Sequence, residues 1–376
     1  MPLHSLAGEV SLSIIVDAHE DIAWNVLCFG RNYLRSAHSI RRSEAHGPVE
    51  AVNGVAMLGL PDWLKGGIAV IGATLFTPPE RKRTSSLESY YSDDEEAHSI
   101  AERQAEIYER MAQGCEQIKL IQTRADLEAV LRTWEDFDPT LDEDPKRDER
   151  QIGLVYLIEG GDSIREPAEV EWWYERGVRL IGPAWVSTRY CGGTGEPGPL
   201  TAEGLELLKH MRRFQVVLDL SHMDDLSFFQ ALDRYDGPVI ASHSNPRRLT
   251  NNLNRHLSDE QIRALVQHDG VIGTLIFNKF LLHDWEHDQP KEAATIETVV
   301  KAIDHVCQIA GDARHAAIGT DFDGGFGMRS TPAGFDTVAD LQIIAPALRQ
   351  HGYSTADIDL ILHGNWLRML RQSLPG

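Results

Sequence analysis

The 376-residue chain sets 36 Lys and Arg against 57 Asp and Glu, for a formal charge of −21. So acidic a surface repels phosphate backbones and anionic lipid, which argues against nucleic-acid and membrane partners and leaves solubility as the plain use of the charge. The length accommodates one large domain, and no stretch approaches the roughly 18 apolar residues of a membrane span.

The chain opens Met1-Pro2-Leu3-His4, without the basic region, apolar core or small-residue cleavage site of a secretory signal. Cys28, Cys115, Cys191 and Cys307 form no CxxC pair and read as reduced thiols. Both features predict a cytoplasmic protein.

Eight short apolar runs read as strands: Ser13–Asp17, Ile68–Phe76, Ile152–Ile158, Val178–Ala184, Gln215–Leu220, Pro238–Ser242, Val271–Phe277 and His315–Thr320. Most lack polar alternation, as befits strands covered on both faces in a parallel sheet. Helical stretches lie between them. One is 296–310, with an apolar stripe and Gly311 as its stop. Another opens after Ser258 with a capping-box pattern, Ser258-Asp259-Glu260-Gln261. The alternation predicts an α/β fold, a single (β/α)8 TIM-like barrel domain over 1–376. Closure rests on the count of eight, because an open doubly wound sheet alternates similarly. Segments 30–65, 78–112 and 135–150 look inserted, the first with little periodicity and the second ending in a long charged helix.

Four of the runs end in residues that bind metals, which is how parallel barrels build active sites at their strand tips. His19 and Asp21, two apart on an extended segment, point to one side. Alone the pair says little, since a strand-end His beside a helix-capping Asp has the same spelling. His222 and His243 are 21 positions apart, each directly after Ser, which fits adjacent strand ends joined by a helix over 224–234. Glu159 closes the third run, where a buried carboxylate is costly unless paired or bound to a cation. These residues predict two divalent ions, one on His19, Asp21 and Glu159 and one on Glu159, His222 and His243, most simply Zn2+. Three ligands each leave positions open for a shared water. Asp321, after the eighth strand, is placed to move a proton, unless it and Asp323 only cap their loop. Arg255 is placed to grip a substrate carboxylate.

Together these residues resemble the membrane (renal) dipeptidase family of zinc peptidases, a branch of the amidohydrolase superfamily. The matching segments are Asp17-Ala18-His19-Glu20-Asp21-Ile22-Ala23-Trp24, Ile158-Glu159-Gly160-Gly161, Asp219-Leu220-Ser221-His222, Ala241-Ser242-His243-Ser244-Asn245, Arg255-His256-Leu257-Ser258, Gly319-Thr320-Asp321-Phe322-Asp323-Gly324 and Gly364-Asn365-Trp366-Leu367-Arg368. The resemblance implies a barrel with a binuclear zinc site at the C-terminal ends of its strands, usually in a homodimer. It implies hydrolysis of dipeptides, often with a C-terminal D-residue, by a hydroxide bridging the two ions. Glu159 matches the bridging carboxylate, Asp321 the proton-transferring acid, Arg255 the carboxylate anchor, and Trp24 and Trp185 substrate-facing positions. Trp185 stands where animal members carry a His, Glu20 where Asn is common, and His256 where Asn often follows the Arg. Two other readings compete. One is the same centre acting on another small amide, an N-acyl amino acid or a lactone; the other is a non-catalytic metal-binding protein.

Overall fold

The computed structural model describes residues 14–138, 140–141, 144–250, 253–286 and 289–376. Ser13, the predicted start of the first strand, and the segment before it lie outside these, as do Pro139, Asp142 and Glu143 of the predicted 135–150 loop. In chain order the strands are β1 (Ile15–Glu20), β2 (Ile68–Phe76), β3 (Ile118–Leu120), β4 (Ile152–Glu159), β5 (Val178–Gly182), β6 (Val217–Asp219), β7 (Val239–Ala241), β8 (Val271–Thr274) and β9 (Ala316–Ile318). The order β2-β1-β9-β8-β7-β6-β5-β4 is parallel throughout. A β2–β4 ladder, from Val70 opposite Gly153 to Phe76 opposite Glu159, joins its ends. The result is a closed eight-stranded (β/α)8 barrel.

All eight predicted strands form, with two corrections. β1 runs on to Glu20, so His19 lies within the strand and Glu20 points the opposite way, its Oε2 accepting Trp63 Nε1 at 3.0 Å. β3 is additional: it pairs with Ile152–Leu154 of β4, whose later residues pair with β5. Only three residues long and partly exposed, it offers too short an apolar run to stand out in the sequence.

The segments read as insertions are built into the barrel. Residues 30–65 hold helices Ala37–Glu44, Pro48–Asn53 and Leu60–Gly66, each too short to show a clear period. The buried Asp323 carboxylate fastens this segment to the loop after β9. It accepts from Tyr33 OH and Met57 N, both at 2.8 Å, and pairs with Arg31 Nη1 at 3.1 Å. The charged helix Asp94–Gly114 buries one face on the barrel, where Tyr108 OH donates to the Thr74 carbonyl at 3.0 Å and accepts from Ala23 N at 3.1 Å. The helix Ile296–Ala310 ends at Gly311 with φ 84°, and the Ser258–Gln261 capping box is formed. At the far end of the barrel, Trp366 and Leu370 face Val16, Val70, Val155 and Leu180 across a small apolar void. Among the described residues no helix is long and apolar enough to cross a membrane.

Close backbone approach inside the barrel demands glycine. A Cβ on Gly273 of β8 would stand 1.8 Å from the Ser242 carbonyl oxygen. Gly273→Ala should therefore cost about 3 kcal/mol in chemical denaturation. Gly114→Ala, at an exposed helix end with nothing within 4 Å of the new methyl, should be neutral or stabilising by up to about 1 kcal/mol. Equal effects would contradict this packing.

Candidate metal centre

The strand tips bring His19, Asp21, Glu159, His222, His243 and Asp321 together at one end of the barrel. Glu159 lies at the centre. Its Oε1 is 3.1 Å from His222 Nε2 and 3.2 Å from His243 Nε2, and its Oε2 is 3.5 Å from His19 Nε2. Asp21 Oδ1 and Asp321 Oδ1 each lie 4.0 Å from His19 Nε2. Three overlapping trios result: His19 with Asp21 and Glu159, Glu159 with His222 and His243, and His19 with His243 and Asp321. The donor atoms of each trio lie within 4.8 Å of one another.

Asp21 occupies the N-cap of helix Ile22–Phe29 but makes no side-chain cap bond. Its carboxylate instead accepts from Thr74 Oγ1 and faces His19, so the helix-capping alternative does not describe it. The two loop aspartates also divide. Asp323 is structural, whereas Asp321 turns into the cavity, its backbone N–H bonded to the His19 carbonyl at 3.1 Å. His222 and Asp321 have φ of 65° and 59°, a left-handed conformation that costs energy in a non-glycine residue and clusters at functional sites.

The outer nitrogens of the imidazoles are all held. Asp219 accepts the Ser242 hydroxyl, so Ser242 Oγ is left to accept Nδ1–H of His243 at 2.8 Å and of His19 at 3.4 Å. Thr194 Oγ1 lies 2.9 Å from His222 Nδ1. With Nδ1 protonated, Nε2 of His222 and of His243 presents a lone pair to the centre, and Nε2 of His19 would do so once a metal displaced its proton, the form in which histidine binds metals. The sequence reading missed Asp219, Ser242 and Thr194. The first two sit inside the quoted segments, but only the fold brings a β6 carboxylate under a β7 serine.

The electrostatics fit a cation. Burial and the Arg255 guanidinium push His222 down to about 4, and burial with His19 pushes His243 well down, so both are neutral. Burial opposes ionisation of Glu159, yet His19 holds it well below the usual carboxylate range. Burial would likewise lower His19, but Glu159, Asp21 and Asp321 raise it to about 10. Three carboxyl groups gathered round His19 call for positive charge at this point, and His19 Nε2 has no hydrogen-bond partner among the described residues. Neutral imidazoles, ionised Glu159 and this unpartnered nitrogen suit divalent metal.

A cavity of about 370 Å3 opens over the centre. Arg255, Trp24 and Trp185 all line it, so every sequence-predicted site residue meets in one place. Arg255 is buried; its Nη1 donates to Ser244 Oγ at 3.3 Å, while Nε and Nη2 have no hydrogen-bond partner among the described residues. Trp24, Phe76 and Trp185 form an edge-to-face aromatic wall with centroids 5.2 and 5.0 Å apart.

Comparison with known proteins places this geometry. The family model described as membrane dipeptidase, peptidase family M19, matches residues 10–374. An uncharacterized protein in the pqqA 5′ region of Klebsiella pneumoniae is 34% identical over 235 residues, 60% of this chain and 83% of that one. Dipeptidase tcpJ of Claviceps purpurea is 32% identical over 173 residues, 46% of this chain but only 38% of its own length. Among solved structures, the M19 dipeptidase AC superposes with a TM-score of 0.74 at 23% identity, covering 97% of this chain and all of that one. A metallopeptidase from Rhodobacter sphaeroides, liganded with a phosphinate mimic of the dipeptide L-Ala-D-Ala, gives 0.73 at 22%, covering 96% and 99%.

Asp219→Asn, which removes the acceptor that sets the Ser242 proton, should weaken metal binding about 10- to 100-fold in chelator competition while the far-UV spectrum stays unchanged. Unaltered affinity would remove Asp219 from this role.

Proposed function

The chain belongs to the membrane dipeptidase family, peptidase family M19, and from that premise we propose that it is a metal-dependent dipeptidase that holds two zinc ions and hydrolyses the amide bond of short dipeptides. The observation that carries the reading is the meeting of five metal-ligand side chains, an additional acid and an unpaired guanidinium in one cavity. His19, Asp21 and Glu159 would hold one ion, and Glu159, His222 and His243 the other. Their three imidazoles favour zinc over harder cations. When bound, the ions supply Lewis-acid polarisation of the scissile carbonyl and lower the pKa of a coordinated water.

The protein's own groups do the rest. Burial, with Asp21 and Glu159 close by, raises the Asp321 carboxyl well above the usual range. Its Oδ1 faces the centre; once bound cations hold the carboxyl ionised, it is the group to take a proton and pass it to the leaving amine nitrogen. Arg255, which lines the cavity, would receive the substrate's terminal carboxylate, and this selects dipeptides over longer chains. Trp24 and Trp185 border the substrate. Trp185 donates only a neutral N–H where animal relatives carry a His. The L-Ala-D-Ala mimic held by the Rhodobacter sphaeroides enzyme supports acceptance of a C-terminal D-residue. The reading extends to a cytoplasmic homodimer, and four free cysteines support a reducing compartment.

A panel of dipeptides whose C-terminal residue is Gly, an L-residue or a D-residue tests the proposal. Zinc-loaded protein should turn over at least one class, and chelation should abolish this. Asp321→Ala should keep its metal yet lose turnover by about 100-fold or more. An active Asp321→Ala variant would remove the residue from proton transfer. Metal-loaded wild type that is inert on the whole panel would overturn the dipeptidase reading.

A further inference from the structure

Residues 78–91, between β2 and the helix Asp94–Gly114, form a strap over the cavity mouth. Its ends are held together by Glu80 N donating to the Tyr91 carbonyl at 2.8 Å and Tyr91 N to the Pro78 carbonyl at 3.1 Å. Lys82, Glu88 and Tyr90 of this strap line the same cavity as the metal centre. The strap is anchored through Glu196 of the loop that carries Trp185: Arg81 Nη2 reaches Glu196 Oε2 at 3.0 Å, and Lys82 Nζ reaches Oε1 at 2.9 Å.

With Glu196, the strap brings three cations and three carboxylates together, but Glu88 stands outside their ion pairs. Arg81 and Lys82 are engaged with Glu196, and Arg83 pairs with Glu80 at 3.2 Å. Glu88 has no cationic partner among the described residues. Thr84 Oγ1, at 3.1 Å, and Tyr90 OH both donate to its Oε2, which fixes the carboxylate in place. Its Oε1 has no protein donor among the described residues. The fixed positive group of the cavity, Arg255, belongs to the deep wall. The aromatic wall of Trp24, Phe76 and Trp185 lines the same cavity as the metal centre and Glu88.

An apolar wall leading outward to an unpaired carboxylate suits a long side chain with an aliphatic stem and a cationic tip. Resting on the dipeptidase reading, we propose that Glu88 is a specificity-determining residue that selects dipeptides with a lysine or arginine at the N-terminal position. With the substrate carboxylate on Arg255 and the scissile amide at the metal centre, the N-terminal side chain stands on the side of the amide away from Arg255, and we assign to it the course along Trp24 and Trp185 to the strap. A cavity of about 370 Å3 has room for it. Lys82 would favour an acidic side chain there, but its ammonium is held 2.9 Å from Glu196 Oε1, whereas Glu88 Oε1 has no protein donor among the described residues.

The test measures kcat/KM for Lys-, Leu- and Glu- dipeptides that share the C-terminal residue preferred in the panel above, on zinc-loaded wild type, Glu88→Gln and Glu88→Lys. The wild type should prefer the Lys over the Glu substrate by about tenfold or more, and Glu88→Gln should shrink the Lys-to-Leu ratio about tenfold. Glu88→Lys should reverse the Lys-to-Glu order. If the wild type does not prefer Lys to Glu, or if neither variant moves the Lys-to-Leu ratio, the assignment of Glu88 fails while Leu-dipeptide turnover upholds the dipeptidase. No turnover of any of the three would overturn both.

Discussion

The Glu159 carboxylate, buried and approached on both oxygens by imidazole nitrogens, is the constraint on which the site depends. Two further carboxylates, Asp21 and Asp321, stand within 4.0 Å of the same His19 nitrogen. Removing such charges from water costs several kcal/mol each unless opposite charge is supplied at close range. Divalent metal would meet that demand and take up the Nε2 lone pairs of His222 and His243. The chemistry of the centre follows from a charge balance that the protein alone satisfies only in part.

The barrel makes this arrangement possible by spending its interior on backbone contacts. Gly72, Gly273 and Gly319 let neighbouring strands approach too closely for any side chain. The ring of strand tips is thereby narrow enough for groups from β1, β4, β6 and β7 to converge. Beneath it, Asp219 orients Ser242, which holds Nδ1 of both His243 and His19. His19 and His243 stack with their centroids 3.6 Å apart. On the far side, Asp323 ties the loop that carries Asp321 to residues 31–57. A segment that reads in sequence as an insertion thus buttresses the loop that carries Asp321.

Much of this was legible in the sequence, for a physical reason. Strands buried on both faces appear as unbroken apolar runs, and a barrel presents function where those runs stop; His19, Glu159, His222 and His243 stand out as polar residues closing apolar stretches. What was not legible depends on pairing across long sequence distance. β3 is three residues long and exists because β4 offers an edge. The short helices of 30–65 owe their order to Asp323, some 270 residues away. The strap's anchorage on Glu196, and the unpaired state of Glu88, emerge only when two surface loops are brought side by side. Isolated Arg, Lys and Glu residues in polar segments give no hint of that.

The sharpest test of the account is anomalous diffraction from crystals of the zinc-loaded protein. Two metal peaks at the strand tips, one held by His19, Asp21 and Glu159 and the other by Glu159, His222 and His243, are the predicted result. A single ion that leaves Glu159 unligated, or metal bound away from the strand tips, would contradict it.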